Sequence, residues 1–304
     1  MRPTRKRFGQ HFLERAWADK LTAAIAPQAD ETFLEIGPGR GALTIPLAAR
    51  AKHVIGFEID RDLARDLRAS HHANVTIIEG DFLTLSADDV KCALGDAGAM
   101  VRLKPDTTKV RLKPDTTYGP EVAETTVRVA GNLPYNVASP ILSRLVELFE
   151  AGIPFADATV MLQREVADRL TASPGTKEYG VLSILIGRAA SVERLLALPP
   201  GAFRPAPAVR SAVVRLRFHP PDPAPRDAAV FHAMVHAMFS RRRKTLANAL
   251  QGFLRNEALS PAKALTEAGL DGRKRPENLT IAELVRLSDA FSDASRRETA
   301  KHEV

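Results

Sequence analysis

The stretch Asn132-Leu133-Pro134-Tyr135 carries the most chemistry per residue in this chain. It follows Gly131 and the apolar run Val127–Ala130, which reads as a buried strand. It precedes Ser139-Pro140, which reads as the N-cap and first residue of a helix over 141–149. A carboxamide, a proline and an aromatic ring therefore stand at the carboxyl end of a strand, the edge at which open α/β sheets bind ligands. A carboxamide oxygen and a main-chain carbonyl accept N–H bonds, and a ring offers a face for stacking. Such a set holds and orients a planar polar group; it contains no strong general base.

Three other strand ends share that edge. Thr32–Ile36 runs into Gly37-Pro38-Gly39-Arg40-Gly41 and a helix over 42–50, a strand, glycine turn and helix that let backbone approach a nucleotide-like ligand. The spacing is G-x-G-x-G, not the G-x-G-x-x-G of dinucleotide binders. His53–Phe57 ends in Glu58-Ile59-Asp60, with Glu58 about 20 residues beyond Gly37, where an acidic residue meets ribose hydroxyls in such folds. As a carboxylate for the helix start, Asp60 or Asp62 serves better than Glu58. Val75–Ile78 then leads to Glu79-Gly80-Asp81-Phe82. One such turn means little, whereas three in succession predict an α/β fold with a ligand along one sheet edge.

The net charge of +7 favours a polyanionic partner, and its distribution matters more than its total. The octet Val101–Thr108 recurs without substitution as Val110–Thr117, and this segment holds five basic and two acidic side chains. Residues 95–122 read as a surface loop inserted between Asp81 and Asn132. A single cysteine, Cys92, excludes a disulfide framework and a multi-cysteine metal site, and no metal is expected. No leader-like start and no run approaching 18 apolar residues is present, so a cytoplasmic protein without membrane association is expected.

Towards the C-terminus, Ala158–Leu162 reads as a strand, 163–171 as a helix, and Phe203–Val209 as a proline-restricted extended segment before a closing strand, Ser211–Phe218. The stiff His219–Pro225 linker divides a domain at 1–219 from one at 220–304 that reads as helical throughout. There, Ser240 reads as the cap of a helix whose first turn is Arg241-Arg242-Arg243-Lys244. Cations at that end oppose the helix macrodipole, which favours a bound phosphate backbone as their purpose. Thr280-Ile281-Ala282-Glu283 is a capping box, and the tail after Ser292 reads as frayed.

Together these segments resemble the ribosomal RNA adenine dimethyltransferase family. The marks are Gly9-Gln10-His11-Phe12-Leu13, Glu35-Ile36-Gly37-Pro38-Gly39, Glu58-Ile59-Asp60, Asn132-Leu133-Pro134-Tyr135, Phe203–Ser211 and Arg241-Arg242-Arg243-Lys244-Thr245. The resemblance implies a class I methyltransferase with a Rossmann-like mixed seven-stranded sheet, a small all-helical C-terminal domain for RNA, and S-adenosyl-L-methionine as cofactor. It implies cofactor contacts at His11, Leu13, Gly37, Gly39, Glu58, Asp81 and Asn132, with Glu58 on the ribose and Asp81 on the adenine amino group. His11 stands where the family more often has asparagine. The implied catalytic set is Asn132, Leu133, Pro134 and Tyr135, with Phe203 as a second stacking face. The implied substrate is two adjacent adenines near the 3′ end of small-subunit ribosomal RNA, methylated by a monomer on a pre-ribosomal particle. A large-subunit resistance methyltransferase and a noncatalytic RNA- or DNA-binding relative stay open. The helical domain with Arg241–Lys244 disfavours the first, and intact Glu58, Asp81 and Asn132–Tyr135 the second. The glycine spacing disfavours a dinucleotide oxidoreductase.

Overall fold

The computed structural model describes residues 11–70, 72–95, 126–253 and 259–302, with side chains as far as Asp293. The basic arm at 2–10 and the repeat at 101–117 lie outside the described residues. Among the described residues nine strands follow in chain order: β1 (Phe12–Leu13), β2 (Thr32–Ile36), β3 (His53–Glu58), β4 (Val75–Glu79), β5 (Val127–Asn132), β6 (Phe155–Gln163), β7 (Ala190–Leu198), β8 (Phe203–Arg204) and β9 (Ser211–Phe218). Seven form one mixed sheet in the order β4-β3-β2-β5-β6-β9-β7, as the resemblance implies. β1 and β8 form a separate antiparallel ribbon. β4, β3, β2, β5 and β6 run parallel to one another.

The central strands are buried at nearly every position because parallel strands are covered on both faces. All five residues of β2 are buried, and Phe33, Leu34, Val54, Ile55 and Val129 lie in the core. From β2 the chain steps outward to β3 and β4, then returns to place β5 on the other side of β2. The strand order thus reverses between β2 and β5, and a crevice opens there at the carboxyl ends. The register sets Ile36 against both Phe57 and Gly131, so these strand ends stand level. Gly131 is required by this closeness: a Cβ built there lies 2.8 Å from the Ile36 carbonyl oxygen.

At the opposite end of β5, buried Arg128 ties three segments together. Its guanidinium takes both carboxylate oxygens of Asp157 on β6 at 2.9 Å each, and Glu31 ahead of β2 at 2.9 Å. It also donates to the Ile25 carbonyl at 2.9 Å, satisfying the end of the helix Arg15–Ile25.

The described chain divides into two compact units. One comprises residues up to Val137 with 147–161 and 198–208; the other comprises 138–146, 162–197 and 209 onward. The second has its own core, in which Phe231, Met234, Val235 and Met238 of the helix Ala228–Ser240 meet Leu284, Val285 and Leu287 of the helix Ile281–His302. Thr280 and Glu283 form the expected capping box at the start of the latter. No helix among the described residues is long and apolar enough to cross a membrane.

Three local expectations are corrected. The helix after β5 begins at Ala138, so Ser139 and Pro140 lie inside its first turn, where a missing N–H costs nothing. Ser240 does not open a helix. Its hydroxyl bonds back to the Ala237 carbonyl at 2.7 Å, and Arg241–Lys244 follow the carboxyl end of Ala228–Ser240. Cations are favoured there, so the macrodipole penalty that pointed to a phosphate partner does not exist. The next helix, Leu246–Ala249, takes Thr245 as its N-cap residue. The final helix continues past Ser292 to His302 rather than fraying.

Candidate functional site

At the crevice between β2 and β5 lies a cleft of about 110 Å³. His11, Leu13, Gly37, Gly39, Glu58, Asn132, Leu133, Pro134 and Tyr135 all line it. Gly37, Gly39 and Gly41 have φ of +68°, +59° and +79°, a left-handed run in which side chains are strained, and space for 4 Å around a Cβ built on Gly37 is empty. This keeps the loop open to a ligand. Above it, the Arg40 guanidinium lies 4.3 Å from the centre of the Phe12 ring, joining the glycine loop to the N-terminal segment.

Glu58 ends β3 almost fully buried. Its two carboxylate oxygens accept the N–H groups of Gly39 at 2.8 Å and Asp60 at 2.9 Å. Burial raises its pKa, and those N–H bonds oppose the rise. Each oxygen keeps acceptor capacity for a hydroxyl. The helix-capping role falls to Asp60, which accepts from the N–H groups of Asp62 and Leu63.

Asn132 is placed by β5 and turned by a single bond: its Nδ2 donates to the His11 carbonyl at 2.9 Å. A carbonyl only accepts, so the NH₂ end is assigned and the carboxamide oxygen remains for an incoming donor. The Leu133 N–H donates to the Met161 carbonyl at 3.0 Å, and Val137 N–H closes a turn onto the Pro134 carbonyl at 3.1 Å. Tyr135 stacks against the His11 ring, with centroids 5.6 Å apart and planes 28° apart.

Two expected site residues are not in the cleft lining. Asp81 follows β4 and caps a short 3₁₀ turn, accepting from Leu83 N–H at 3.0 Å. Phe203 is corrected from a stacking face to a core residue. It is fully buried, opposite Leu13 in the β1/β8 ribbon, so its ring offers no face to a base.

Glu35 lines the cleft although no role was read for it from the sequence. It is 1% exposed, its Oε2 has no hydrogen-bond partner, and its pKa is pushed up to about 8 by burial, opposed by the neighbouring Thr44 hydroxyl and reinforced by the charge of Glu58. The signal was present in the strand itself: an acid at the fourth position of an otherwise buried parallel strand. A buried carboxyl with one oxygen unpartnered, an acceptor pair on Glu58 and an open glycine turn fit a ligand with a cationic group and a ribose. S-adenosylmethionine has both.

The comparisons with known proteins agree with this geometry. Residues 1–293 match the family described as ribosomal RNA adenine dimethylase. A protein of Chromobacterium violaceum named "Ribosomal RNA small subunit methyltransferase A" is 38% identical over 300 residues, covering 96% of this chain and 97% of that protein. A protein of the same name from Anaeromyxobacter sp. (strain K) is 39% identical, covering 93% and 92%. Among solved structures, a dimethyladenosine transferase from Plasmodium falciparum has the same fold, with a TM-score of 0.67 at 21% identity over 94% of this chain and 98% of that one. The 23S rRNA methyltransferase ErmE gives 0.57 at 24% identity over 92% and 99%. A match over almost the whole chain, with residues of four of its motifs gathered in one cleft, makes this protein a member of the ribosomal RNA adenine dimethylase family, methyltransferases that use S-adenosylmethionine.

Proposed function

We propose that this enzyme dimethylates two adjacent adenines near the 3′ end of small-subunit ribosomal RNA. We further propose that it acts as a cytoplasmic monomer on a pre-ribosomal particle. The observation that carries the reading is the orientation of Asn132, whose carboxamide oxygen is left to accept at the mouth of a cleft suited to the cofactor. The names of the relatives support the choice of RNA.

The bound cofactor supplies an electrophilic sulfonium methyl. Glu58 would hold its ribose hydroxyls and Glu35 its ammonium, while the Gly37–Gly41 turn admits its chain close to the backbone. The acceptor amine of adenine is a poor nucleophile because its lone pair is delocalised into the ring. Asn132 and the Leu133 carbonyl each accept one N–H, drawing the nitrogen towards a pyramidal shape with its lone pair exposed. The nitrogen becomes acidic only as the methyl arrives, so positioning and electrostatics carry the catalysis. Tyr135 would stack the extruded base, worth about 1–3 kcal/mol. Tyr135→Ala is therefore expected to raise KM for RNA by roughly 5- to 100-fold while cofactor affinity holds. Equal loss of cofactor affinity, by titration calorimetry, would count against stacking.

Function divides at the proline-rich linker, with a methyltransferase domain at 1–219 and an RNA-binding domain at 220–304. The division is supported by the cleft residues all preceding the linker and the basic cluster following it. Arg241, Arg243 and Lys244 are exposed and available to phosphates, whereas Arg242 is committed to Glu277 at 2.9 Å and to the Lys177 carbonyl at 3.0 Å. Neutralising Arg241, Arg243 and Lys244 together should lower the slope of log affinity against log salt by about two units. An unchanged slope would exclude a phosphate role. Deleting 101–117 should leave thermal melting and methyl transfer unaltered; loss of folding would make the repeat structural.

The reading is tested by mass spectrometry of ribosomal RNA, naked and in particles, after incubation with labelled cofactor. Two neighbouring dimethyladenines in the small-subunit RNA are expected, and label in large-subunit RNA instead would overturn it.

A further inference from the structure

Among the described residues of the N-terminal segment, His11 meets the acceptor side of the cleft in three ways. Its carbonyl takes the Asn132 Nδ2–H at 2.9 Å. Its Nδ1 lies 2.7 Å from the Pro205 carbonyl, and because a carbonyl only accepts, Nδ1 carries the proton. Its ring lies against Tyr135, centroids 5.6 Å apart.

The segment itself is anchored. Phe12 and Leu13 pair with Arg204 and Phe203, the Glu14 N–H donates to the Ala202 carbonyl at 2.9 Å, and Glu14 meets the Arg204 guanidinium at 3.0 Å. His11 is thus a fixed point against which two side chains, Asn132 and Tyr135, are set. A flipped Asn132 would present its NH₂ to the acceptor amine and repel it, and the bond to the His11 carbonyl prevents the flip. A Tyr135 ring free to rotate would lose its stacking plane, and the imidazole on one face holds that plane.

We propose that His11 is a positioning residue for the acceptor adenine: its main chain locks the acceptor oxygen of Asn132 outward and its ring fixes the plane of Tyr135. The resemblance assigns this position to the cofactor; the contacts assign it to the other substrate. The proposal rests on Asn132 and Tyr135 being the acceptor site.

The side-chain half of the proposal is tested with His11→Ala and His11→Phe in the full chain. Phenylalanine keeps a ring against Tyr135 but loses the bond to Pro205, while every variant keeps the main-chain carbonyl. Cofactor affinity is read by calorimetry with S-adenosylmethionine alone, and kcat and KM with small-subunit particles. Loss of a ring pair should lower kcat by about 3- to 10-fold in His11→Ala, with cofactor affinity within about twofold and kcat restored by His11→Phe. The proposal is overturned if cofactor affinity falls as far as kcat/KM with kcat unchanged, or if His11→Phe is no better than His11→Ala. A short RNA with 2-aminopurine at the target reports stacking without turnover. If Tyr135→Ala and Asn132→Ala leave both its fluorescence and methyl transfer intact, the acceptor site itself is misassigned. If those variants fail while both His11 variants behave as wild type, only the positioning role is wrong. Melting curves of both His11 variants separate a folding loss from either outcome.

Discussion

Asn132→Ala should lower the rate of methyl transfer by about 10²–10³-fold while leaving most of the cofactor affinity in place. In the mechanism proposed above, the carboxamide oxygen is the acceptor that reshapes the adenine amine. By the proposed reading the cofactor is held chiefly by groups on other strands, Glu35 on β2 and Glu58 on β3, which line the same cleft. Single-turnover rates with saturating cofactor isolate the effect. Asn132→Asp should fare no better although it keeps an acceptor oxygen, because a carboxylate cannot donate to the His11 carbonyl, 2.9 Å away in the native enzyme. Undiminished turnover in either variant would remove positioning by Asn132 from the mechanism.

Glu35→Gln should flatten the pH dependence of stability of the cofactor-free enzyme. In the folded protein the Glu35 carboxyl is raised from 4.5 to about 8, chiefly by burial. Below about pH 4.5 it is protonated whether the chain is folded or not, and its contribution to stability is fully present. Between 4.5 and about 8 the unfolded chain releases the proton while the folded one keeps it. Stability then falls by about 1.4 kcal/mol per pH unit, and the contribution is lost as pH rises through about 8. Glutamine cannot ionise, so the variant should overtake the wild type at alkaline pH by several kcal/mol. Denaturant unfolding at pH 5, 7 and 9 measures this, and parallel slopes in the two proteins would refute it. The same proton must leave when an ammonium docks against Glu35. Cofactor should therefore bind the wild type more tightly as pH rises towards 8, and Glu35→Gln should lose that trend along with much of the affinity.

How far the fold and cleft were legible depended on the range of the forces involved. β2 and β9 span the residues their apolar patterns indicate, and the cleft residues at the ends of β2, β3 and β5 follow from a parallel sheet whose strand order reverses. Features decided by distant partners were not legible. Phe203 has the sequence context of a stacking residue, yet a two-residue ribbon with β1 takes its ring into the core. Ser240 has the chemistry of a cap, but its hydroxyl turns back to Ala237 because the helix of Phe231 and Met238 is still burying its face there. Glu35 passed as one letter in a glycine-loop motif. Its full burial with one oxygen unpartnered is a property of the packed sheet.

Arg128 bears on how this enzyme tolerates change. The connection carrying the repeat re-enters the sheet at Val127, at the far end of β5 from Asn132, and Arg128 clamps the strand at once to Asp157 and Glu31. Five residues at about 3.3 Å each put roughly 17 Å of fixed strand between that entry and the reacting amide. Length added upstream should therefore leave the reacting amide where it is. Should deletion of 101–117 leave methyl transfer unaltered, the connection would serve as a splice port, where a reporter or affinity module could be grafted.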